Sequence, residues 1–376
     1  MRFMQLLTST TEGLGSIGFP NIGLGDINPT DGFFIPGTNF EIKFYGIIIA
    51  CGLLLAVFYA MRRAKEFGLT GDDILNVVLI GTPCAIIGAR LYYVLTDHTP
   101  IDQWLDIRSG GMAIYGGVIG GVLSVAIFCL CSKKRRKKFL PVLDIAGLGF
   151  PIGQAIGRWG NFFNREAFGR FAGANNPFAM KIAAHRLGSH GLEHSAAMQE
   201  LQANISPDGF VLVHPTFLYE SVWNAVGFVI IHFLSKKRKF DGQVFLYYLA
   251  WYGLGRLWIE GLRMDSLMVG NIRISQLLAG ITCLVALAVL VCILLIRRPD
   301  GSKMLVNCLA AEAAAAEAAE GSEDSEAAEV TEDAEADEVT EETGSDETDE
   351  EDPESDETEK PAEDAQNKKP DDKEDV

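Results

Sequence analysis

Long apolar runs separated by short basic or polar segments dominate the chain from about residue 42 to residue 296. An α-helix needs about 20 mostly apolar residues to cross the hydrocarbon core of a membrane. Seven runs approach that length, and we predict seven membrane-spanning helices at 42–60, 74–95, 112–131, 140–156, 217–234, 244–259 and 274–296. The fourth and sixth runs are shorter and less apolar, which favours positions inside the helix bundle or along a cavity.

The distribution of Lys and Arg predicts how these helices are oriented. Basic clusters follow the first, third, fifth and seventh runs, at 62–65, 133–138, 236–239 and 297–303. Loops after alternate helices lie on one side of a membrane, and an excess of Lys and Arg marks the cytoplasmic side. We therefore expect the N-terminus outside and the C-terminus in the cytoplasm, in an all-α, polytopic membrane protein.

Charge divides the chain into two parts. Residues 311–376 hold 30 Asp and Glu against four Lys, whereas residues 1–310 hold 20 acidic and 28 basic residues. Segment 314–376 contains almost no large apolar residue and is predicted to be disordered, although 310–320 is rich in Ala and Glu and favours a frayed helix. We thus predict an external N-terminal loop at 1–40, a seven-helix membrane domain at 41–298 with an external loop at 158–214, and a cytoplasmic acidic tail at 299–376.

Charged residues at membrane depth are expensive and indicate function. Arg158 lies in GRWGNFFNREAFGR (157–170), and Arg256 and Glu260 lie in YGLGRLWIEGLR (252–263). Arg256 and Glu260 are four residues apart and share a helix face, so they form either an internal ion pair or part of a site. Two guanidinium groups with planar donor forks suit an anionic lipid headgroup.

Three further residues have two interpretations each. His214 opens HPTFLYE (214–220) and is either a general base or an interfacial, helix-capping residue. Tyr115 lies between glycine pairs in SGGMAIYGGVIGG (109–121) and is either an interface anchor or a hydroxyl directed into a site. The same choice applies to Tyr45 in the first run.

Taken together, these blocks resemble the prolipoprotein diacylglyceryl transferase family over roughly residues 35–298. The R-x-G-N-F-x-N-x-E-x-x-G-R skeleton is the most specific element. HPTFLYE, GGMAIYGG, FYG (44–46) and YGLGRLWIE are similar to other family blocks in the same order. The resemblance implies an enzyme of the bacterial plasma membrane that transfers the diacylglyceryl group of phosphatidylglycerol to the lipobox cysteine thiol of a prolipoprotein, giving a thioether and glycerol phosphate.

The resemblance also implies roles for individual residues. Arg158 and Arg256 would hold the headgroup and stabilise the departing phosphate, with Tyr115 and His214 as further catalytic candidates. The remaining phosphatidylglycerol-binding residues would be Tyr45, Asn161, Glu166, Gly169, Tyr252, Glu260 and Arg263. Some family members carry His where this chain has Tyr115, so the thiol base stays open between His214, Glu166 and the field of the arginines.

Two other classes of function compete with this interpretation. A small-solute or ion transporter also uses intramembrane Arg and Glu, but seven spans do not divide into two equal repeats. A membrane scaffold would leave the clustered Arg, Asn and Glu residues unexplained. We expect membrane lipid and a lipobox segment as partners, and no metal, cofactor or nucleic acid.

Overall fold

The structure, a computed structural model, describes residues 17–38, 41–97, 99–105, 110–184, 196–264, 268–269 and 272–318. The first 16 residues of the predicted N-terminal loop and the acidic tail from 319 onward lie outside these described residues. Part of the predicted external loop, 185–195, lies outside them as well.

Helices make up most of the described chain. In order they are α1 (Phe44–Arg63), α2 (Gly71–Thr96), α3 (Ile114–Leu130), α4 (Lys133–Arg136), α5 (Phe139–Asn164), α6 (Ala196–Ala203), α7 (Thr216–Ser235), α8 (Gln243–Leu262) and α9 (Ile274–Cys292). A π-helical turn continues α9 to Arg297, and residues 305–318 are also helical. The helix expected near 310–320 therefore begins earlier, at residue 305, where Leu305 is buried against the bundle.

Each of the seven apolar runs coincides with a helix. Within the described residues, five helices are long and apolar enough to cross a membrane: Phe44–Phe67, Gly71–Thr96, Phe139–Asn164, Thr216–Ser235 and Ile274–Arg297. Helix α3 is apolar but has only 17 residues, and α8 carries Arg256 and Glu260 among its apolar residues. The protein is thus mostly helical and has the composition of a polytopic membrane protein.

Helix α5 lies at the centre of the helix packing. It packs against α1, α7 and α8, while α2 pairs with α3 and α8 pairs with α9. The α2–α3 pair is close because Gly88 faces Gly116 and Gly120, and a Cβ on Gly116 would lie 2.2 Å from the Gly88 carbonyl oxygen. Small residues at this spacing allow helix backbones to approach closely in lipid.

The expectation of an all-α fold is wrong for the segments between helices. A four-stranded antiparallel sheet has the order β2-β1-β5-β6, formed by β1 (Ile17–Phe19), β2 (Leu24–Ile27), β5 (Met180–Ala183) and β6 (Phe210–Val213). Two hairpins are formed by β3 (Gly32–Phe34) with β4 (Glu41–Lys43) and by β7 (Met268–Val269) with β8 (Ile272–Arg273). These strands are only two to four residues long, and β1 pairs with β5 from a distant part of the chain, so no run of alternating residues marks them in the sequence.

The sheet has its own apolar core. Ile17, Met180 and Val213 are buried in it together with Met198 and Leu201 of α6. The long loop between α5 and α7 therefore contributes to a small subdomain, and β1 from the N-terminal segment completes that subdomain by pairing with β5.

The basic segments meet at one end of the helix bundle, which we call the basic end (residues 62–73, 133–138 and 235–243). Arg63 donates to the Ser235 hydroxyl at 3.1 Å, and Lys138 forms an ion pair with Asp73 at 2.8 Å. Arg238 donates to the carbonyl oxygen of Glu66 at 2.6 Å. This end is defined by contacts between α1, α2, α5 and α7 and by the turn before α8.

A buried arginine on α2 organises the connection to α3. Arg90 is only 7% exposed. Its guanidinium donates to the carbonyl oxygens of Gln103 at 2.6 Å, Trp104 at 3.0 Å, Gly110 at 2.7 Å and Gly111 at 2.9 Å. We call this arrangement the Arg90 tether, because it fixes the backbone of the α2–α3 loop on the helix.

Candidate active site

Glu220, in the second turn of α7, is the centre of a charged cluster. Its carboxylate forms ion pairs with Arg158 at 2.7 Å, Arg256 at 3.2 Å and Arg263 at 3.1 Å. Glu260 adds a second carboxylate, 2.7 Å from Arg256. We call these five residues the arginine cluster. Three guanidinium groups against two carboxylates leave one formal positive charge in excess.

The cluster is mostly shielded by protein but not closed. The Glu220 side chain is 6% exposed, whereas the side chains of Arg158 and Arg256 are 22% and 18% exposed. The pairing of Arg256 with Glu260 confirms that these two residues share a helix face. Arg256 was predicted to belong either to an internal ion pair or to a site. These alternatives do not exclude each other, because Arg256 binds two carboxylates and still has an accessible surface.

Hydrogen bonds between α5 and α7 set Arg158 opposite Glu220. Ser221 donates to the carbonyl oxygen of Ala155 at 2.8 Å and accepts from the Trp159 indole at 3.2 Å. The predicted end of this helix at residue 156 placed Arg158 in the following loop. In the structure helix α5 continues to Asn164, so Arg158 lies within the helix. A position on a packed helix holds a side chain more rigidly than a loop does.

Two tryptophans set the register between α7 and α8. Trp223 donates to the carbonyl oxygen of Trp251 at 3.1 Å, and Trp251 donates to that of Trp223 at 3.0 Å. Their rings stack with centroids 4.4 Å apart. Each ring lies over a glycine of the opposite helix, since a Cβ on Gly255 or Gly227 would lie within 2.2 Å of the facing indole nitrogen. We call this the tryptophan clasp; Gly255 directly precedes Arg256 of the cluster.

A strained turn follows α5 and returns Glu166 to the helix end. Arg165 and Ala167 have φ values of 54° and 56°, which are unusual for residues other than glycine. In this turn Glu166 accepts hydrogen bonds from the amides of Asn161 at 2.9 Å and Asn164 at 3.2 Å. Asn161 in turn accepts from Arg158 at 3.4 Å. Backbone strain of this kind concentrates at functional sites.

Gly169 lies where three segments meet. Its N–H donates to the carbonyl oxygen of His214 at 2.8 Å, and it forms an isolated β-bridge with Arg263. A Cβ on Gly169 would lie 2.7 Å from the Cβ of His214 and 2.9 Å from the carbonyl oxygen of Leu262. Only glycine permits this approach, which joins the signature segment after α5 to the end of α8.

His214 forms a hydrogen-bonded trio with Asn176 and Tyr219, beside the arginine cluster. Asn176 Oδ1 accepts from the Phe178 N–H at 2.9 Å, so its Nδ2 faces His214 Nδ1 at 3.2 Å as the donor. The Tyr219 hydroxyl lies 3.3 Å from the same nitrogen. Burial lowers the pKa of the His214 imidazole below its usual range. The imidazole is therefore neutral near pH 7, with its proton on Nε2.

The three candidate tyrosines occupy different places. Tyr45 packs on Gly160, whose Cβ would lie 2.6 Å from the ring, and its hydroxyl lies near Glu166 and Arg158. Tyr252 lies one turn before Arg256 and stacks on Tyr248 with centroids 5.8 Å apart. Tyr115 bonds to Ser275 at 3.2 Å, at the start of α9. The structure thus brings Tyr45 to the cluster and Tyr115 to α9.

Glu220 is a candidate site residue that the sequence motifs do not single out. In the sequence it is the last residue of HPTFLYE, although a carboxylate inside a predicted apolar span carries the same signal that selected Arg158. Arg165, which is buried and bonded to Asp31 at 2.7 Å, is not singled out either. Among the described residues, no group of three or more His, Cys, Asp or Glu side chains could hold a metal ion.

The geometry suits the binding and stabilisation of an anion. Three arginines and two carboxylates meet between α5, α7 and α8, and the side chains of Arg158 and Arg256 are partly accessible. Charge-assisted hydrogen bonds from arginine to phosphate are among the strongest in proteins. Fixed donors directed at a developing anion are also a large source of catalysis.

Comparison with known proteins agrees with the resemblance found in the motifs. A sequence model of the family described as prolipoprotein diacylglyceryl transferase matches residues 33–292. A protein of Clostridioides difficile (strain 630) named phosphatidylglycerol–prolipoprotein diacylglyceryl transferase is 40% identical over 243 residues, which cover 64% of this chain and 86% of the relative.

Two further relatives carry the same name. One, from Clostridium botulinum (strain Langeland), is 41% identical over 245 residues, covering 64% of this chain and 88% of the relative. The other, from Streptococcus uberis, is 37% identical over 271 residues, covering 70% of this chain and 93% of the relative. The matched region includes α1 to α9, the arginine cluster and the strained turn.

Proposed function

Because the chain belongs to the prolipoprotein diacylglyceryl transferase family, we propose that it transfers the diacylglyceryl group of phosphatidylglycerol to the lipobox cysteine thiol of prolipoproteins. The products are a thioether and glycerol phosphate. The observation that carries the proposal is the excess positive charge of the arginine cluster, held on three helices around Glu220. A transporter would need no such grip on a leaving phosphate, and the names of the relatives favour the transferase.

The reaction is a substitution at carbon. The thiol loses its proton, the sulfur forms a bond to the glycerol carbon that carries the phosphate, and the C–O bond to the phosphate breaks with its electron pair remaining on oxygen. Arg158 and Arg256 bind the phosphodiester and stabilise the charge that develops on the departing phosphate. Because the thiolate is the nucleophile, the same positive field also favours ionisation of the thiol.

The other candidate residues line or support this site. We assign Tyr45, Asn161, Glu166, Gly169, Tyr252, Glu260 and Arg263 to the phosphatidylglycerol site. Glu166 is a candidate acceptor for the thiol proton, because two amides hold its carboxylate. His214 and Tyr115 remain catalytic candidates. His214 enters the reaction as an Nε2–H donor, or as a base once Asn176 releases Nδ1.

We further propose that the protein spans the bacterial plasma membrane seven times, with α3 and α8 as the two additional spans. The N-terminus and the four-stranded sheet would lie outside and the basic end in the cytoplasm, following the Lys and Arg bias. In a variant without native cysteines, a membrane-impermeant thiol reagent should label a cysteine placed in 171–184 and not one placed in 133–138. The reverse labelling pattern in intact cells would overturn this orientation.

The proposed activity can be tested with purified protein, phosphatidylglycerol and a synthetic peptide that contains a lipobox cysteine. Mass spectrometry should show the peptide gaining one diacylglyceryl group, and glycerol phosphate should appear in equal amount. A peptide with serine in place of the lipobox cysteine is the control. Absence of the adduct with folded wild-type protein, or its formation on the serine peptide, would contradict the proposed reaction.

A further inference from the structure

A groove runs along the outside of the bundle between α8 and α9. It has a cavity volume of about 470 Å³, within the range of roughly 300–1,000 Å³ that is typical of small-molecule sites. Its walls are apolar and include Leu257, Leu277, Ile281 and Leu284, while Arg273 and Gln276 line one end. Among the described residues that line it, the groove thus has one cation, Arg273, at one end of an otherwise apolar track.

Helical spacing makes this groove straight and continuous. Arg273, Leu277, Gly280 and Leu284 recur at intervals of three or four residues, so they follow one face of α9. From Arg273 to Leu284 this face extends about 16 Å at 1.5 Å per residue. Gly280 forms the floor, since a Cβ there would lie 3.3 Å from Cδ1 of Leu257. The apolar side chains Leu277, Ile281 and Leu284 are 51%, 49% and 69% exposed, so none of the residues that the structure describes fills the groove.

The polar end of the groove is joined to the arginine cluster. Arg273 donates to the carbonyl oxygen of Glu260, whose carboxylate binds Arg256. Gln276 donates to the carbonyl oxygen of Leu257 at 2.7 Å and ties α9 to α8 at the same level. Arg273 thus contacts the backbone of Glu260, a residue of the arginine cluster. The apolar part of the groove extends from Arg273 away from the cluster, towards Leu284.

We propose that the groove is the docking site for one acyl chain of a membrane glycerophospholipid with an anionic headgroup, that Arg273 pairs with its phosphate, and that the lipid moves from there to the arginine cluster. A single cation at the end of a 16 Å apolar track matches the charge and shape of such a lipid. This inference deepens the proposed function and rests on it, since it names how the lipid substrate reaches the site.

The groove can be tested with phosphatidylglycerol that carries a photoreactive diazirine in one acyl chain. The full-length protein is reconstituted with this probe, irradiated and digested, and the labelled residues are mapped by mass spectrometry. In the wild type, labels should concentrate on residues 277–284 and be displaced by unlabelled phosphatidylglycerol. Labels spread evenly around the lipid-facing surface of all helices would overturn the proposal.

Two variants and their matched controls sharpen this test. Gly280→Leu fills the groove and should remove the label and raise KM for phosphatidylglycerol about tenfold with kcat unchanged, the loss expected when roughly two methylene groups are no longer buried. Ala288→Leu adds the same side chain to α9 beyond the lining residues and should change neither. Arg273→Gln should lower labelling by the anionic probe, while Arg297→Gln at the other end of α9 should not.

The outcomes separate the groove from the activity. If wild-type protein forms the thioether but Gly280→Leu keeps its label and its KM, the groove proposal is wrong and the proposed function stands. If the label maps to 277–284 but no thioether forms, the lipid docks as proposed and the transferase assignment fails. Equal labelling of the wild type by a zwitterionic phosphatidylcholine probe would overturn the preference for an anionic headgroup, and equal labelling of the wild type and Arg273→Gln by the phosphatidylglycerol probe would overturn the role of Arg273.

Discussion

The arginine cluster and the Arg90 tether both place guanidinium groups among apolar helices, but their hydrogen-bond acceptors differ in kind. Arg90 is 7% exposed and donates to four backbone carbonyl oxygens of the loop next to it. Arg158 and Arg256 share the carboxylate of Glu220 and keep 22% and 18% of their side chains accessible. The donors of the Arg90 tether bind the protein's own backbone, whereas the arginines of the cluster pair with carboxylates and two of them keep accessible surface.

The difference teaches how to interpret charge at membrane depth. An intramembrane arginine indicates function by default, and by that criterion Arg90 and Arg158 are equal. Backbone acceptors fix an arginine within the fold, while carboxylates from neighbouring helices hold arginines in a geometry that a second anion can join. We therefore expect a structural role for Arg90 and a catalytic role for the cluster, and four predictions test this contrast.

The largest effect should come from Glu220→Gln. The amide has no charge, so three guanidinium groups lose their shared partner at a site where the side chain is 6% exposed. Breaking a buried ion pair in this way costs about 3–5 kcal/mol, and we expect little protein in membranes and no thioether product. The control is Glu41→Gln, which removes an exposed pair with Lys43 and should leave both nearly unchanged. Normal stability and activity of Glu220→Gln would show that the cluster does not depend on Glu220.

Arg158→Lys should reduce turnover by about 100-fold, close to the effect of Arg158→Ala, because lysine keeps the charge but loses the planar donor fork. The protein should still accumulate, since its apolar spans are unchanged. Thioether formation per amount of protein is the measurement, with the exposed Arg62→Lys at the basic end as the control.

A variant that keeps the charge separates the catalytic from the structural reading of Arg256. If Arg256 only pairs with Glu220 and Glu260, Arg256→Lys should retain most of the activity that Arg256→Ala loses. We expect instead that Arg256→Lys loses turnover almost as Arg256→Ala does while the protein still accumulates, because lysine lacks the planar donor fork. Full activity in Arg256→Lys or in Arg158→Ala would contradict headgroup binding by these arginines.

Arg90→Lys should have a smaller effect, and on a different quantity. Lysine cannot reach the four carbonyl oxygens of the tether at once, so we expect the free energy of unfolding to fall by roughly 1–3 kcal/mol. Turnover per folded molecule should stay at the wild-type level. Tm and thioether formation are measured on the same detergent-solubilised sample. A loss of turnover with an unchanged Tm would place Arg90 in the catalytic machinery and contradict its structural role.

The smallest effect concerns pH and His214. Burial lowers the pKa of this imidazole in the folded protein, so on acidification the unfolded chain takes up a proton before the folded chain does. His214 therefore destabilises the fold as the pH falls below about 6.5, and the effect is absent above that value. Tm should fall less between pH 7.5 and pH 5.5 in His214→Gln than in the wild type. An identical fall in both proteins would contradict a lowered pKa.

The sequence was sufficient for the family, for the mostly helical architecture and for most of the cluster. Apolar length is a local property, so the positions of the helices could be read from it, and the family match confirms the resemblance found in the motifs. Two features could not be read this way. Strands β1 and β5 lie about 160 residues apart and have no alternating pattern long enough to reveal their pairing. Glu220 contacts its three arginines only when α5, α7 and α8 pack together. The spacing of residues along the chain does not predict these tertiary contacts.

The tryptophan clasp has a consequence for how the chain can change over time. Trp223 occupies the space above Gly255, and Trp251 occupies the space above Gly227. Which residue is tolerated at one position of each pair therefore depends on the residue at the other position. A lone change of either glycine to a larger residue meets an indole ring, while a lone loss of either tryptophan opens a void beside the arginine cluster. Related sequences should therefore keep or replace these partners together, and the two changes of one pair should be far less harmful in combination than the sum of their separate effects.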